Sequence, residues 1–148
     1  MNLTAAEIAA AMGAEVVAEG GPGAPAGATI DSGASGPGDL FFGLRGANRD
    51  GGEFAPAALD AGAWGAVVGP EHATAARQSF SPDSVRNDYR GAWVFAVEDP
   101  LAALHSLARE WRRALGARVV GVTGSVGKTS VKDIARALLP GRVHANRE

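Results

Sequence analysis

One short stretch constrains the fold more than any other: residues 121–130 read GVTGSVGKTS. A mostly apolar run at residues 117–122 leads into its glycines, and an amphipathic helix pattern follows over residues 131–138. A strand that passes through glycines into a helix points backbone N–H groups and the positive end of the helix dipole at the loop between them. The stretch therefore predicts a phosphate-binding loop in a βαβ unit, whose second strand would be residues 142–145.

The residue types of this loop are suited to binding a nucleoside triphosphate with a divalent cation. Lys128 would reach the terminal phosphates, and the Thr129 hydroxyl would ligate Mg²⁺. The strict phosphate-loop pattern requires glycine at position 122, where this chain has Val122. A glycine-rich turn that binds no ligand is the alternative interpretation. The predicted nucleotide-binding residues are Gly124, Ser125, Val126, Gly127, Lys128, Thr129 and Ser130.

Upstream of the loop, short apolar runs alternate with helical patterns, which predicts an α/β fold. Thr4 and Glu7 form a capping box for a first helix, and Asp99 is a natural N-cap for a helix over residues 101–115. A third helix is predicted near residues 54–61. We expect two domains, at residues 1–97 and 98–148. The predicted strands are residues 15–18, 28–30, 40–44, 63–69 and 93–97.

Composition excludes several classes of protein. The net charge of −2 does not indicate a basic surface, so nucleic acid is not expected as a partner. No apolar run approaches the ~18 residues of a membrane span, and the first residues do not read as a secretory signal. The chain has no cysteine, which excludes disulfides and thiolate metal sites. A cytoplasmic protein without membrane insertion is the expectation.

The loop also resembles a known family. Residues 121–133, GVTGSVGKTSVKD, are similar to the ATP-binding loop of the Mur ligase family, G-x-T-G-[ST]-x-G-K-T-[ST], which accounts for Val122. Lys132, Asp133 and the preceding VEDPLAALHSLARE look most like the branch that adds D-alanyl-D-alanine to the UDP-N-acetylmuramoyl tripeptide. Residues 28–68 resemble the family's N-terminal domain, which binds the uridine nucleotide.

The resemblance implies a set of residues that contact the sugar nucleotide, in two glycine-rich loops. Two positions depart from the family pattern, because Gly33 stands where arginine is usual and Gly52 where histidine is common. Contacts from those side chains must be absent or supplied by neighbours. The implied substrate-binding residues are Asp31, Ser32, Arg45, Asn48, Arg49 and Asp50.

The resemblance implies an ATP-dependent amide ligase of peptidoglycan precursor synthesis, with ATP and Mg²⁺ as cofactors. UDP-N-acetylmuramoyl tripeptide and D-alanyl-D-alanine would be its small-molecule substrates, joined through an acyl phosphate, and Lys128 would be catalytic. The chain is expected to be an N-terminal fragment of a monomeric enzyme, inactive alone and able to self-associate. The alternatives are a sibling ligase that adds the third amino acid, and a non-catalytic nucleotide-binding regulatory module.

Overall fold

The computed structural model describes residues 3–79, 91–140 and 143–145. Its contacts divide the chain into two units, Met1–Leu115 and Gly116–Glu148. The first unit is an α/β fold, as the sequence predicts. None of the helices in the described ranges is both long and apolar enough to cross a membrane.

A five-stranded sheet forms the centre of the first unit, with strand order β1-β5-β4-β3-β2. Strands β2, β3, β4 and β5 are parallel to one another, and β1 pairs antiparallel with β5. A 3-10 turn, Gly51–Phe54, precedes α2. The elements are α1 Ala5–Met12, β1 Glu15–Ala18, β2 Gly27–Thr29, β3 Asp39–Phe42, α2 Ala55–Asp60, β4 Gly65–Val68, α3 Pro70–Gln78, β5 Trp93–Ala96 and α4 Pro100–Ala114.

Strands β4 and β5 are apolar throughout, and β3 is apolar after Asp39, because helices cover both faces of the sheet. Successive residues of a strand point to opposite faces, so Phe41 and Phe42 lie in different cores. Phe41 packs with residues of α2 and α3, including Leu59. Phe42 packs with residues of α1 and α4, including Ile8 and Leu107. Each core is therefore built by one helix pair against one face of the sheet.

Helix α4 belongs to the first unit, although the sequence analysis placed it with the second domain. It begins at the N-cap Asp99, whose carboxylate accepts hydrogen bonds from the Leu101 and Ala102 N–H groups at 2.9 and 3.1 Å. Its buried residues Ala103 and Leu107 complete the core over α1. The contacts therefore divide the chain after Leu115, because this helix covers one face of the sheet. The division into functional domains at residue 97 stays a prediction.

The second unit contains helix α5, Lys128–Leu138, which has no buried residue. The expected strand at residues 117–122 is wrong, because these residues have no regular secondary structure. A buried parallel strand needs neighbours, and none of the described residues pairs with this segment. Residues 143–145 are not a strand either, and Arg142, the first residue of that predicted strand, lies outside the described residues.

Candidate functional site

The predicted phosphate loop has the backbone conformation that its glycines permit. Gly124 and Gly127 have φ angles of 147° and 80°, a region that other residues rarely adopt. Gly127 is the N-cap of α5, and since glycine has no side chain it gives the helix no side-chain capping hydrogen bond. The N–H groups of a first helical turn point out of the helix N-terminus, which makes the start of α5 a position suited to an anion.

The predicted nucleotide-binding residues divide between the loop and the helix. Gly124, Ser125, Val126 and Gly127 precede α5, and Lys128, Thr129 and Ser130 form its first turn. The Lys128 Nζ donates a 2.5 Å hydrogen bond to the Gly124 carbonyl oxygen, so the side chain folds back over the loop. That position is suited to a cation beside a phosphate. The roles of Lys128 in catalysis and of Thr129 as a Mg²⁺ ligand stay predictions.

The predicted substrate-binding residues lie where strands β2 and β3 end. In parallel sheets, ligands bind outside the carboxyl ends of the strands. Asp31 and Ser32 follow β2, and the Asp31 carboxylate accepts a 2.9 Å hydrogen bond from the Gly33 N–H group in a local turn. In the same loop, the Ser35 hydroxyl oxygen is buried and has no hydrogen-bond partner among the described residues.

The loop after β3 brings the other four predicted residues together. Arg45 and Asp50 form an isolated antiparallel bridge, and the Gly46 N–H group donates to the Arg49 carbonyl oxygen at 2.9 Å. Arg45, Asn48, Arg49 and Asp50 therefore share one tight loop. Among the described residues, no hydrogen bond or ion pair connects this loop to Asp31 or Ser32.

Asp50 is the centre of a network that the sequence analysis did not foresee. Its carboxylate accepts a 2.8 Å hydrogen bond from the Gly52 N–H group and lies 3.3 Å from His72 Nε2 and 3.8 Å from Arg45 Nε. Arg45 Nη2 also donates to Glu71 Oε1 at 2.6 Å. Two carboxylates, one guanidinium and one imidazole thus meet at the carboxyl edge of the sheet; we call Arg45, Asp50, Glu71 and His72 the edge network.

These contacts shift the protonation equilibria of the edge network. The Gly52 N–H group lowers the pKa of the Asp50 carboxyl, with smaller contributions from His72 and Arg45. The hydrogen bond with Glu71 raises the pKa of Arg45, and Asp99 adds a smaller attraction. The Glu71 backbone N–H group and Arg45 lower the pKa of the Glu71 carboxyl. Both carboxylates are therefore charged at neutral pH.

Three groups of the edge network could in principle hold a metal ion, since ligand atoms of Asp50, Glu71 and His72 lie within 4.8 Å of one another. The Arg45 guanidinium already contacts both carboxylates. This cation compensates part of their negative charge, and we assign the cluster as an ion-pair network. The second arginine of the loop, Arg49, lies 3.9 Å from Glu53 and 4.7 Å from the centre of the Phe54 ring.

Sequence reasoning missed Glu71 and His72. Both follow Gly69 and Pro70, directly after the buried strand β4, so they lie at the same sheet edge as the loops after β2 and β3. A polar pair just beyond a fully apolar strand was the signal that could have identified them. The sequence did not reveal that β4 neighbours β3, which brings the pair to Arg45 and Asp50.

The model of the Mur ligase family, catalytic domain, matches residues 26–112, more than half of the chain. A UDP-N-acetylmuramoyl-tripeptide–D-alanyl-D-alanine ligase of Synechocystis sp. is 39% identical over 112 residues, 74% of this chain and 22% of the relative. A UDP-N-acetylmuramoyl-L-alanyl-D-glutamate–2,6-diaminopimelate ligase of Synechococcus sp. is 38% identical over 113 residues, 74% of this chain and 21% of the relative.

A solved structure is similar as well. The crystal structure of the MurF ligase from Thermotoga maritima in complex with ADP matches with a TM-score of 0.53 and 32% identity. The match covers 75% of this chain and 22% of that one. The chain thus spans 19–28% of the length of the curated relatives it matches.

Proposed function

The chain belongs to the Mur ligase family, and from that premise we propose that it supplies the sugar-nucleotide site and the phosphate loop of an ATP-dependent amide ligase. The ligase would act in peptidoglycan precursor synthesis, in the cytoplasm and as a monomer. The observation that carries the proposal is the 39% identity to the D-alanyl-D-alanine ligase of Synechocystis over 74% of this chain. Residues 1–97 and 98–148 would be the two functional domains.

The proposed reaction forms one amide bond at the expense of one phosphoanhydride bond. ATP, with Mg²⁺, supplies a phosphoryl group to the terminal carboxylate of UDP-N-acetylmuramoyl tripeptide. The amine of D-alanyl-D-alanine then attacks the activated carbonyl carbon, phosphate leaves, and the amine loses a proton. This residue set supports the first half of the reaction, because a cation and helix N–H groups stabilise charge on a phosphoryl group in transfer.

Within this chain, Lys128 would hold the terminal phosphates and stabilise the charge that develops during transfer. The N–H groups from Gly124 to Ser130 would hold the phosphates of the nucleotide. The Thr129 hydroxyl would ligate Mg²⁺. The fit rests on the positive φ angles of Gly124 and Gly127, on the helix that starts at Lys128, and on the fold of the lysine over the loop.

The sugar nucleotide would bind at the carboxyl edge of the sheet of the first unit. Asp31 and Ser32 lie in one loop there, and Arg45, Asn48, Arg49 and Asp50 lie in the next. The buried Ser35 hydroxyl, without a partner among the described residues, supports a ligand at the first loop. Both arginines of the second loop are paired with carboxylates, so a ligand there meets charges that are already oriented.

A second candidate function is supported by a separate observation. The Synechococcus relative, a 2,6-diaminopimelate ligase, is 38% identical over the same share of this chain. The sibling activity would add the third amino acid of the peptide by the same chemistry, with a diamino acid in place of D-alanyl-D-alanine.

Titration with UDP tests the sugar-nucleotide site. Amide shifts of the 148-residue chain should cluster in residues 31–35 and 44–52. Ser35→Ala should weaken binding, whereas Ser106→Ala, on α4, is the matched control that should leave it unchanged. Shifts that cluster in α3 and residues 91–97 without the two loops would contradict the proposed site.

A further inference from the structure

The imidazole of His72 occupies the space in which a side chain at position 52 would lie. A Cβ atom built on Gly52 would be 2.3 Å from Cδ2, 2.7 Å from Cγ and 3.1 Å from Nε2 of that ring. Real Cβ atoms do not approach other heavy atoms so closely. The space beside position 52, in the loop after β3, is therefore filled by the side chain of His72, which belongs to α3. Glycine at position 52 is what makes room for it.

Contacts on two sides fix the ring. His72 Nε2 lies 3.3 Å from Asp50 Oδ2, and the side chain is 20% exposed. Asp50 is in turn fixed by its hydrogen bond from the Gly52 N–H group, so the loop and the imidazole hold each other. When Nε2 carries the proton shared with Asp50, protonation adds a second N–H donor at Nδ1.

The charges around the ring decide what protonation would do. Asp50 and Glu71 carry two negative charges, and Arg45 carries one positive charge. Asp99, at the start of α4, adds negative charge close enough to act on Arg45. The Arg49 and Glu53 pair is neutral as a unit. With a neutral His72 the edge network has an excess of negative charge, which opposes the approach of an anion.

We propose that His72 is an anion-binding residue of this edge, and that a nucleoside diphosphate binds there together with a proton taken up by His72. The protonated ring would neutralise the excess carboxylate charge and offer Nδ1–H to the ligand. Arg45 alone cannot perform this role because its single positive charge does not balance the two carboxylates that pair with it. This inference rests on the proposed sugar-nucleotide site and names the residue that regulates it.

Calorimetric titration of the 148-residue chain with UDP tests the coupling. Heats measured at one pH in buffers of different ionisation enthalpy give the number of protons taken up on binding. The wild-type chain should take up a fraction of a proton near neutral pH, and its affinity for UDP should be about tenfold higher at pH 6 than at pH 8.5. UDP itself gains or loses a proton in part of this range. Each wild-type proton uptake and affinity is therefore compared with the value for a variant that is titrated with the same ligand.

His72→Gln keeps a polar side chain that can donate to Asp50 but cannot be protonated. It should bind UDP about tenfold more weakly at pH 6, nearly equally at pH 8.5, and without the additional proton uptake. His105→Gln, on the exposed side of α4, is the matched control and should behave as the wild type. Thermal unfolding of each variant verifies that it folds.

The outcomes separate this inference from the proposed function. If the wild-type chain binds UDP at the two loops but takes up no proton, or if His72→Gln retains the wild-type pH profile, His72 does not have this role and the proposed function stands. If the wild-type chain does not bind UDP at any pH, both fail. Should His72→Gln not fold, His72→Asn, which also keeps an amide and cannot be protonated in this range, takes its place in the comparison.

Discussion

The Trp93 indole Nε1 donates a 2.9 Å hydrogen bond to the Gly21 carbonyl oxygen, which ties β5 to the segment that follows β1. The same indole stacks on Trp64 and Phe95. Trp93→Phe should lower the free energy of unfolding by about 1–3 kcal/mol, because the partly buried carbonyl loses its donor and the stack loses area. Urea denaturation measures the loss. Trp111→Phe, at a side chain that is 39% exposed, is the control and should change it by less than about 0.5 kcal/mol.

Helix α4 provides two leucines, one buried and one exposed, for a second matched comparison of stability. Leu107 is 1% exposed in the core shared with α1, whereas Leu101 is 47% exposed on the same helix. Leu107→Ala should destabilise the first unit by about 2–5 kcal/mol, and Leu101→Ala by much less, since only the former leaves a cavity. Equal losses in denaturant midpoints would mean that α4 does not pack on this unit.

Acid should destabilise the protein in part through Asp50. The folded-state pKa of its carboxyl is lowered, so its contribution is complete above the unfolded-state value of about 3.9 and is lost as the pH falls through the folded-state pKa. Asp50→Asn keeps an acceptor for the Gly52 N–H group but removes the charge. Its free energy of unfolding should therefore vary less with pH below about pH 4 than that of the wild type. Identical pH profiles would exclude this role.

The sequence predicted local features well. The capping box of Thr4 and Glu7 is confirmed, with Glu7 Oε2 2.8 Å from the Thr4 nitrogen, because both partners lie within one turn of chain. The apolar run that contains Phe41 and Phe42 is confirmed as a strand, since burial on two faces leaves an unbroken apolar pattern.

Features that depend on distant partners could not be predicted in the same way. Residues 117–122 have a strand-like pattern, but a pattern does not supply the neighbours that a strand must pair with. His72 reaches Gly52 only because β3 and β4 are adjacent, and strand order is not encoded in local periodicity. The interpretation of Arg45 as a ligand for a diphosphate did not anticipate that Glu71 and Asp50 would pair with it.

Lys128 and Lys132 should differ in their effect on ligation. We would join this chain to the remaining residues of the Thermotoga maritima MurF ligase and measure phosphate release that depends on both substrates. Lys128→Ala should lower the rate by about 10²–10³, because the lost cation faces charge that develops on the phosphoryl group. Lys132→Ala lies one helical turn further along α5 and should cost far less. Losses of equal size would show that the loop assignment is wrong.

The 148-residue chain by itself should bind ATP weakly and should not catalyse ligation. Helix α5 has no buried residue, and residues 117–122 are not held in a sheet, so the loop between them lacks a rigid support. Calorimetric titration with ATP and Mg²⁺ measures the affinity. A micromolar dissociation constant would show that the loop is preorganised without such support.

The position of β5 in the sheet has a consequence for biosynthesis. This strand, the last of the sheet to be made, lies between β1 and β4, so Val16 pairs with Phe95 across most of the first unit's sequence. A nascent chain that ends before Trp93 leaves β1 without a partner and β4 with one open edge. Contacts between residues so far apart in sequence form slowly. The ribosome must therefore release nearly the whole of the first unit before β1 can join the sheet and the sheet can be complete.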